Sequence, residues 1–164
     1  MTLRNAFTEE EWTDVVLGPM LASFALTAAD PSGLLGVIRE SSAAARAMDA
    51  ARTDGDPLTD AVMETYDTPE GQGTVRDTIA DMVRGRSPDD ATADAIARIS
   101  RVSRLLDRKE IDAAVYRDWL RSIGRAVAEA SREGGFLGFG GEKISEQERR
   151  TLADLDAALS NGIG

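Results

Sequence analysis

From Thr8 onward, apolar residues recur at three- and four-residue intervals between clusters of Gly, Pro, Asp, Ser and Thr. This is the pattern of amphipathic helices joined by short turns. Thr8-Glu9-Glu10-Glu11 sets a cap residue three positions before a Glu, a reciprocal capping box, and Phe7 and Trp12 flank it as a hydrophobic staple. Gly18-Pro19 then predicts a kink or a break into two short helices. Pro19 has no N–H and disfavours helical geometry at Gly18, while Met20, Leu21, Phe24 and Ala28 resume the spacing. Asp30-Pro31-Ser32-Gly33 is a turn. Leu34, Leu35, Ile38, Ala45 and Met48 line the next helix, and Asp56-Pro57 supplies the cap and first position of another, carrying Leu58, Ala61, Val62 and Tyr66. Thr68 to Gly73 is expected to separate that helix from one bearing Val75, Ile79, Met82 and Val83. Ser87-Pro88-Asp89-Asp90 opens a helix with Ile96, Ile99, Val102 or Ser103, and Leu106, ending near Asp107-Arg108-Lys109. The longest helix sets Ile111, Val115, Leu120, Ile123 and Val127 on one side with Trp119 beside them, and runs to Glu133 and Gly134. Ser145 to Glu148 is a second capping box, followed by Leu152, Leu155 and Leu159, and residues 160–164 are expected to fray.

No stretch alternates in the manner of a strand, and 25 alanines favour helix throughout. The expected fold class is all-α, a compact bundle of about seven helices packed closely through alanine. At 164 residues and 42% hydrophobic content, the chain reads as one domain over 1–164 with a real core.

Charge and missing residue types narrow the chemistry. The chain has no cysteine and no histidine, which excludes disulfides, thiolate metal sites, thiol nucleophiles and imidazole bases. Nineteen basic against 29 acidic residues give a net charge of −10, which repels phosphate backbones and attracts cations or basic partners, so no nucleic-acid partner is expected. The most apolar run, Val15 to Ala29, spans only about 15 residues against the ~20 of a membrane span and reads as a buried core helix, so no membrane partner is expected either. Acids precede it where a secretory signal carries basic residues, and the expectation is a cytoplasmic protein.

Three further features carry a chemical and a plainer reading. The glycine-rich run Gly134 to Gly141 offers backbone N–H groups to an anion. It follows a helix, however, lacks a Gly-Lys-Ser/Thr ending and is followed by Glu142, so the plainer role is to let Phe136, Leu137 and Phe139 plug the core or form an apolar docking loop. Arg98, Arg101, Arg104 and Arg108 fall within roughly 120° on one helix face, a basic stripe for an anion or acidic peptide or, more simply, a solvated and ion-paired face. The acids at Glu9 to Glu11, Asp89-Asp90 and Glu146 to Glu148 fit helix first turns, and the calcium-loop pattern of an EF-hand is missing.

Two stretches share an outline: an Ala-rich helix, an acid and a glycine in a turn, then a helix bearing a Glu. They are Ala25 through Asp30 and Gly33 to Glu40, and Ala126 through Glu133 and Gly134 to Ile144-Ser145-Glu146-Gln147-Glu148. The outline resembles the bacterial TerB-like (tellurite-resistance-associated) family, whose hallmark is an Ala-Asp-Gly turn followed by Ile-Ser-x-x-Glu in each half. The resemblance implies two pseudo-symmetric helical halves and acidic side chains that bind a divalent cation, here Asp30 and Glu40 with Glu133 and Glu148. It implies a noncatalytic protein acting by protein interaction or cation binding, in a stress or tellurite response, with no other cofactor. Two alternatives stay open: a carboxylate-based hydrolase with Tyr66, Tyr116 or a lysine assisting a buried acid, and a homodimeric scaffold docking through Phe136, Leu137 and Phe139.

Overall fold

In a computed structural model, residues 2–29, 45–50, 55–134 and 145–160 are described. A short 3-10 helix η1 (Leu3–Ala6) precedes α1 (Glu9–Ala29). Then follow α2 (45–50), α3 (Pro57–Tyr66), α4 (Pro69–Val83), α5 (Pro88–Arg108), α6 (Ala114–Gly134) and α7 (Glu146–Ser160). The fold is an all-α bundle, with no strand among the described residues.

Several helices start where a side chain satisfies their orphan N–H groups. The Thr8 hydroxyl accepts from the Glu11 N–H at 3.2 Å while Glu11 accepts from the Thr8 N–H at 2.9 Å, the expected capping box. Phe7 packs on Trp12 with ring centroids 5.5 Å apart, closing the staple. Asp56, Thr68 and Ser87 each cap a helix whose first turn opens with proline.

Thr68 corrects one boundary. Its hydroxyl accepts from the Gly71 N–H at 3.1 Å, so residues 69–73 are the first turns of α4 and not a linker. Gly71 is needed there, because a Cβ would collide with the Thr65 carbonyl. Two apolar stripes also shift. Val83 and Val115 are exposed, at 39% and 37%, and Ile111 precedes α6. The buried side of α6 is instead Tyr116, Trp119, Leu120, Ile123 and Val127.

The core is organised around α1, which packs most extensively on α5 and then on α6. Positions 15 to 19 are all buried, so this part of α1 is covered on every side, as its uniformly apolar sequence predicts. Of the kink or break expected at Gly18-Pro19, the break does not occur, and α1 is one helix through Pro19. The reason is tertiary. Pro19 leaves the Val15 carbonyl without its helical donor, and the Tyr116 hydroxyl of α6 donates to that carbonyl at 2.7 Å. One residue on, the Tyr66 hydroxyl of α3 donates to the Val16 carbonyl at 2.8 Å. Gly18 makes room for the first of these, since a Cβ there would collide with the Tyr116 hydroxyl.

Burial pushes both tyrosine hydroxyls above their ordinary value of 10. For Tyr66 the Met20 backbone N–H offsets part of that shift, and for Tyr116 the nearby Tyr66 and Asp14 add to it. A raised folded-state value means that the stability it reflects is complete below the unfolded value and is lost as pH rises toward the folded one. Stability is therefore expected to decline as pH rises above 10. Urea midpoints across an alkaline series check this, and a midpoint unchanged well above that pH contradicts it.

Removing the Tyr116 hydroxyl orphans a buried carbonyl, so Tyr116→Phe is expected to cost about 1–3 kcal/mol. Gly18→Ala is expected to cost a similar ~1–3 kcal/mol by overpacking. Equilibrium urea unfolding reads both, and wild-type stability in either variant would refute the close approach.

Candidate functional site

Of the four acids expected to bind a cation, Asp30 and Glu40 lie outside the described residues, as do Phe136, Leu137 and Phe139 of the expected docking loop. The backbone of Glu133 belongs to the last turn of α6, and its side chain also lies outside the description. Glu148 is buried, at 3% exposure. Its Oε2 accepts from the Ser145 N–H at 2.7 Å, and Ser145 Oγ accepts from the Glu148 N–H at 3.1 Å, the second capping box. Its Oε1 is buried without a hydrogen-bond partner. That orphan oxygen fits a cation ligand, but among the described residues no group of three or more ligating side chains surrounds it or any other point.

The arginine stripe resolves into a paired and an open part. Arg98 donates to Asp94 at 3.1 Å, an acid that Arg86 also approaches at 3.4 Å, whereas Arg101, Arg104 and Arg108 are exposed. Tyr66 and Tyr116, the assistants of the hydrolase reading, direct their hydroxyls at backbone carbonyls of α1. No described helix is long and apolar enough to cross a membrane.

The strongest candidate site is a cleft of about 530 Å³ between η1, α1 and the α3–α4 pair. Its floor holds Trp12, Val16, Gly71 and Val75, all buried. At one rim Arg4 of η1 forks the carboxylate of Glu9, at 3.0 and 3.2 Å. Lys109 fixes the chain leading from η1: its Nζ donates to the Ala6 carbonyl at 2.8 Å, lies 3.0 Å from Glu11 Oε2 and stands over the Phe7 ring. The Thr8 N–H, then Lys109, hold the Glu11 carboxyl below its ordinary range. The opposite rim carries Glu64 and Glu70, both exposed, and neither carboxylate makes an ion pair or hydrogen bond among the described residues.

Threonines line the walls between the rims. The hydroxyls of Thr13, Thr65 and Thr74 each donate to the carbonyl four residues back, at 2.8, 3.1 and 3.0 Å, and Thr68 donates to the Thr65 carbonyl at 2.8 Å. With their hydrogens turned into the helices, these oxygens keep acceptor lone pairs. The cleft is thus rich in acceptors and negative charge over an apolar floor.

Sequence reading missed this site because it joins residues 2–16 to residues 61–75. The available signal was the run of Thr and Glu at positions 64, 65, 68, 70 and 74, which the helix pattern leaves off the apolar stripes. No family model matches the chain, and no curated protein or solved structure is significantly similar to it.

Because Glu64 and Glu70 have no partner among the described residues, Glu64→Gln with Glu70→Gln is expected to leave the urea midpoint nearly unchanged. A clear fall in the midpoint would assign these acids to folding.

Proposed function

We propose that this protein is a noncatalytic helical binding module of TerB-like type that holds a partner protein against the cleft between η1, α1, α3 and α4. One observation carries the reading: the cleft has a buried apolar floor and two exposed acids that no partner uses among the described residues. Concave sites with an apolar base and a few placed polar groups are the usual form of a recognition site. The helical architecture and the paired acid-glycine outlines support the TerB-like part of the proposal, which sets the module in a cytoplasmic stress or tellurite response. The test is to titrate the isotope-labelled protein with a panel of short acidic, neutral and basic peptides and map the amide shifts. Perturbation centred on Thr13, Thr65, Gly71 and Thr74 is expected. Binding that perturbs only other surfaces, or no binding by any peptide, contradicts the reading.

A second reading, binding of a divalent cation, is favoured by the buried and unpartnered Oε1 of Glu148. Gln retains the capping geometry at this position, so Glu148→Gln removes the charge while sparing the helix start. A cation at about 100 times its dissociation constant stabilises by about 2.7 kcal/mol. A selective rise in Tm that disappears in Glu148→Gln supports this reading, and equal shifts in both proteins refute it.

A further inference from the structure

We infer that the cleft recognises arginine: its occupant is the guanidinium of an arginine in an extended basic segment of a partner protein. The inference rests on the binding role proposed above and names the chemistry of its ligand.

Three properties of the site converge on that group. The first is hydrogen-bond polarity. The Thr13, Thr65 and Thr74 hydroxyls donate to helix carbonyls and keep their lone pairs as acceptors, while Thr68 uses one of its own on the Gly71 N–H, so the matching ligand is a donor. The second is charge. Arg4 balances Glu9 at one rim, which leaves Glu64 and Glu70 without a counterion among the described residues. An anion is repelled here, and a neutral amide leaves both carboxylates without a counterion. The third is shape. Trp12, Val16 and Val75 form an apolar bed for an alkyl stem, with the carboxylates at the rim for its charged head.

Arg4 supplies an independent observation. A guanidinium already sits at this cleft, forking a carboxylate through two hydrogen bonds from the same nitrogen. The rim therefore already carries an exposed guanidinium on a carboxylate, and a partner's arginine repeats at Glu64 or Glu70 what Arg4 does at Glu9. A planar guanidinium suits such a site better than an ammonium, because it is more weakly hydrated and its donors match carboxylate oxygens. The chain's net charge of −10 steers a basic segment toward the surface.

The test is calorimetric titration of the full chain with capped peptides of one Gly/Ala scaffold carrying arginine, lysine or citrulline, and with spermidine, alongside amide-shift mapping. The arginine peptide is expected to bind in the cleft and the citrulline peptide at least about tenfold more weakly. The Glu64→Gln, Glu70→Gln double variant is expected to lose about tenfold or more in arginine-peptide affinity. Arg4→Ala is expected to tighten binding, because it removes a like charge and frees Glu9. Equal binding of citrulline and arginine peptides in the cleft overturns arginine recognition while leaving the binding module intact. Spermidine binding as tightly as the arginine peptide overturns the partner side chain as the source of the cation. Binding by no peptide, or shifts confined to surfaces outside the cleft, overturns both the inference and the reading beneath it.

Discussion

Pro19 interrupts the α1 hydrogen-bond ladder in the middle of the core, and a side chain from another helix repairs it. A proline at the centre of a buried helix removes one hydrogen bond and exposes a carbonyl that water cannot reach, an arrangement that is costly unless another donor arrives. Here the Tyr116 hydroxyl arrives at the Val15 carbonyl, and the Tyr66 hydroxyl adds a second bond at the neighbouring Val16 carbonyl. They come from α6 and α3, so two helices far apart in the sequence are fastened to a single turn of α1. The same turn carries Gly18, whose missing side chain is the space that the Tyr116 hydroxyl occupies. A local defect has become the point about which the bundle is aligned.

That alignment leads directly to the cleft. Tyr66 is the last residue of α3, so anchoring its hydroxyl on Val16 sets where the α3–α4 turn lies along α1. The Gln72 side chain then donates back to the Tyr66 carbonyl at 2.8 Å, and Gly71 nests against the Thr65 carbonyl. These contacts bring Val75 and Gly71 beside Val16 and Trp12 as a floor, and they leave Glu64 and Glu70 standing at the edge. Lys109 does the corresponding work for η1 from the end of α5. Groups tied into the backbone build the base of the site, and Glu64 and Glu70, without partners among the described residues, are exposed at its edge.

Features that depend on a few neighbouring residues were legible in the sequence. The Thr8 and Ser145 capping boxes, the caps at Asp56 and Ser87, and the Phe7–Trp12 staple are local arrangements, and each is present. The all-α bundle and the buried character of the run around Val15 followed from periodicity and composition. What failed did so where distant residues decide. Pro19 reads as a kink or a break until Tyr116, 101 residues from Val15, is brought to the carbonyl that the proline frees. Thr68 to Gly73 reads as a linker because three glycine or proline positions look like punctuation, yet a cap and a close helix contact absorb them. Val115 lost its expected place to Tyr116 because the hydroxyl of the tyrosine was needed inside. The cleft belongs to the same class, since no local pattern links Arg4 to Glu70.

The most direct test of this account is a double-mutant cycle between Pro19→Ala and Tyr116→Phe, read by urea unfolding. Alanine at position 19 restores an N–H for the Val15 carbonyl, so the loss of the Tyr116 hydroxyl no longer leaves an orphan acceptor. The account predicts that Tyr116→Phe costs at least about 1 kcal/mol less in the Pro19→Ala background than in the wild type, a coupling typical of residues sharing one hydrogen-bond site. Strictly additive effects would mean that the tyrosine does not compensate for the proline, and the central claim would fall.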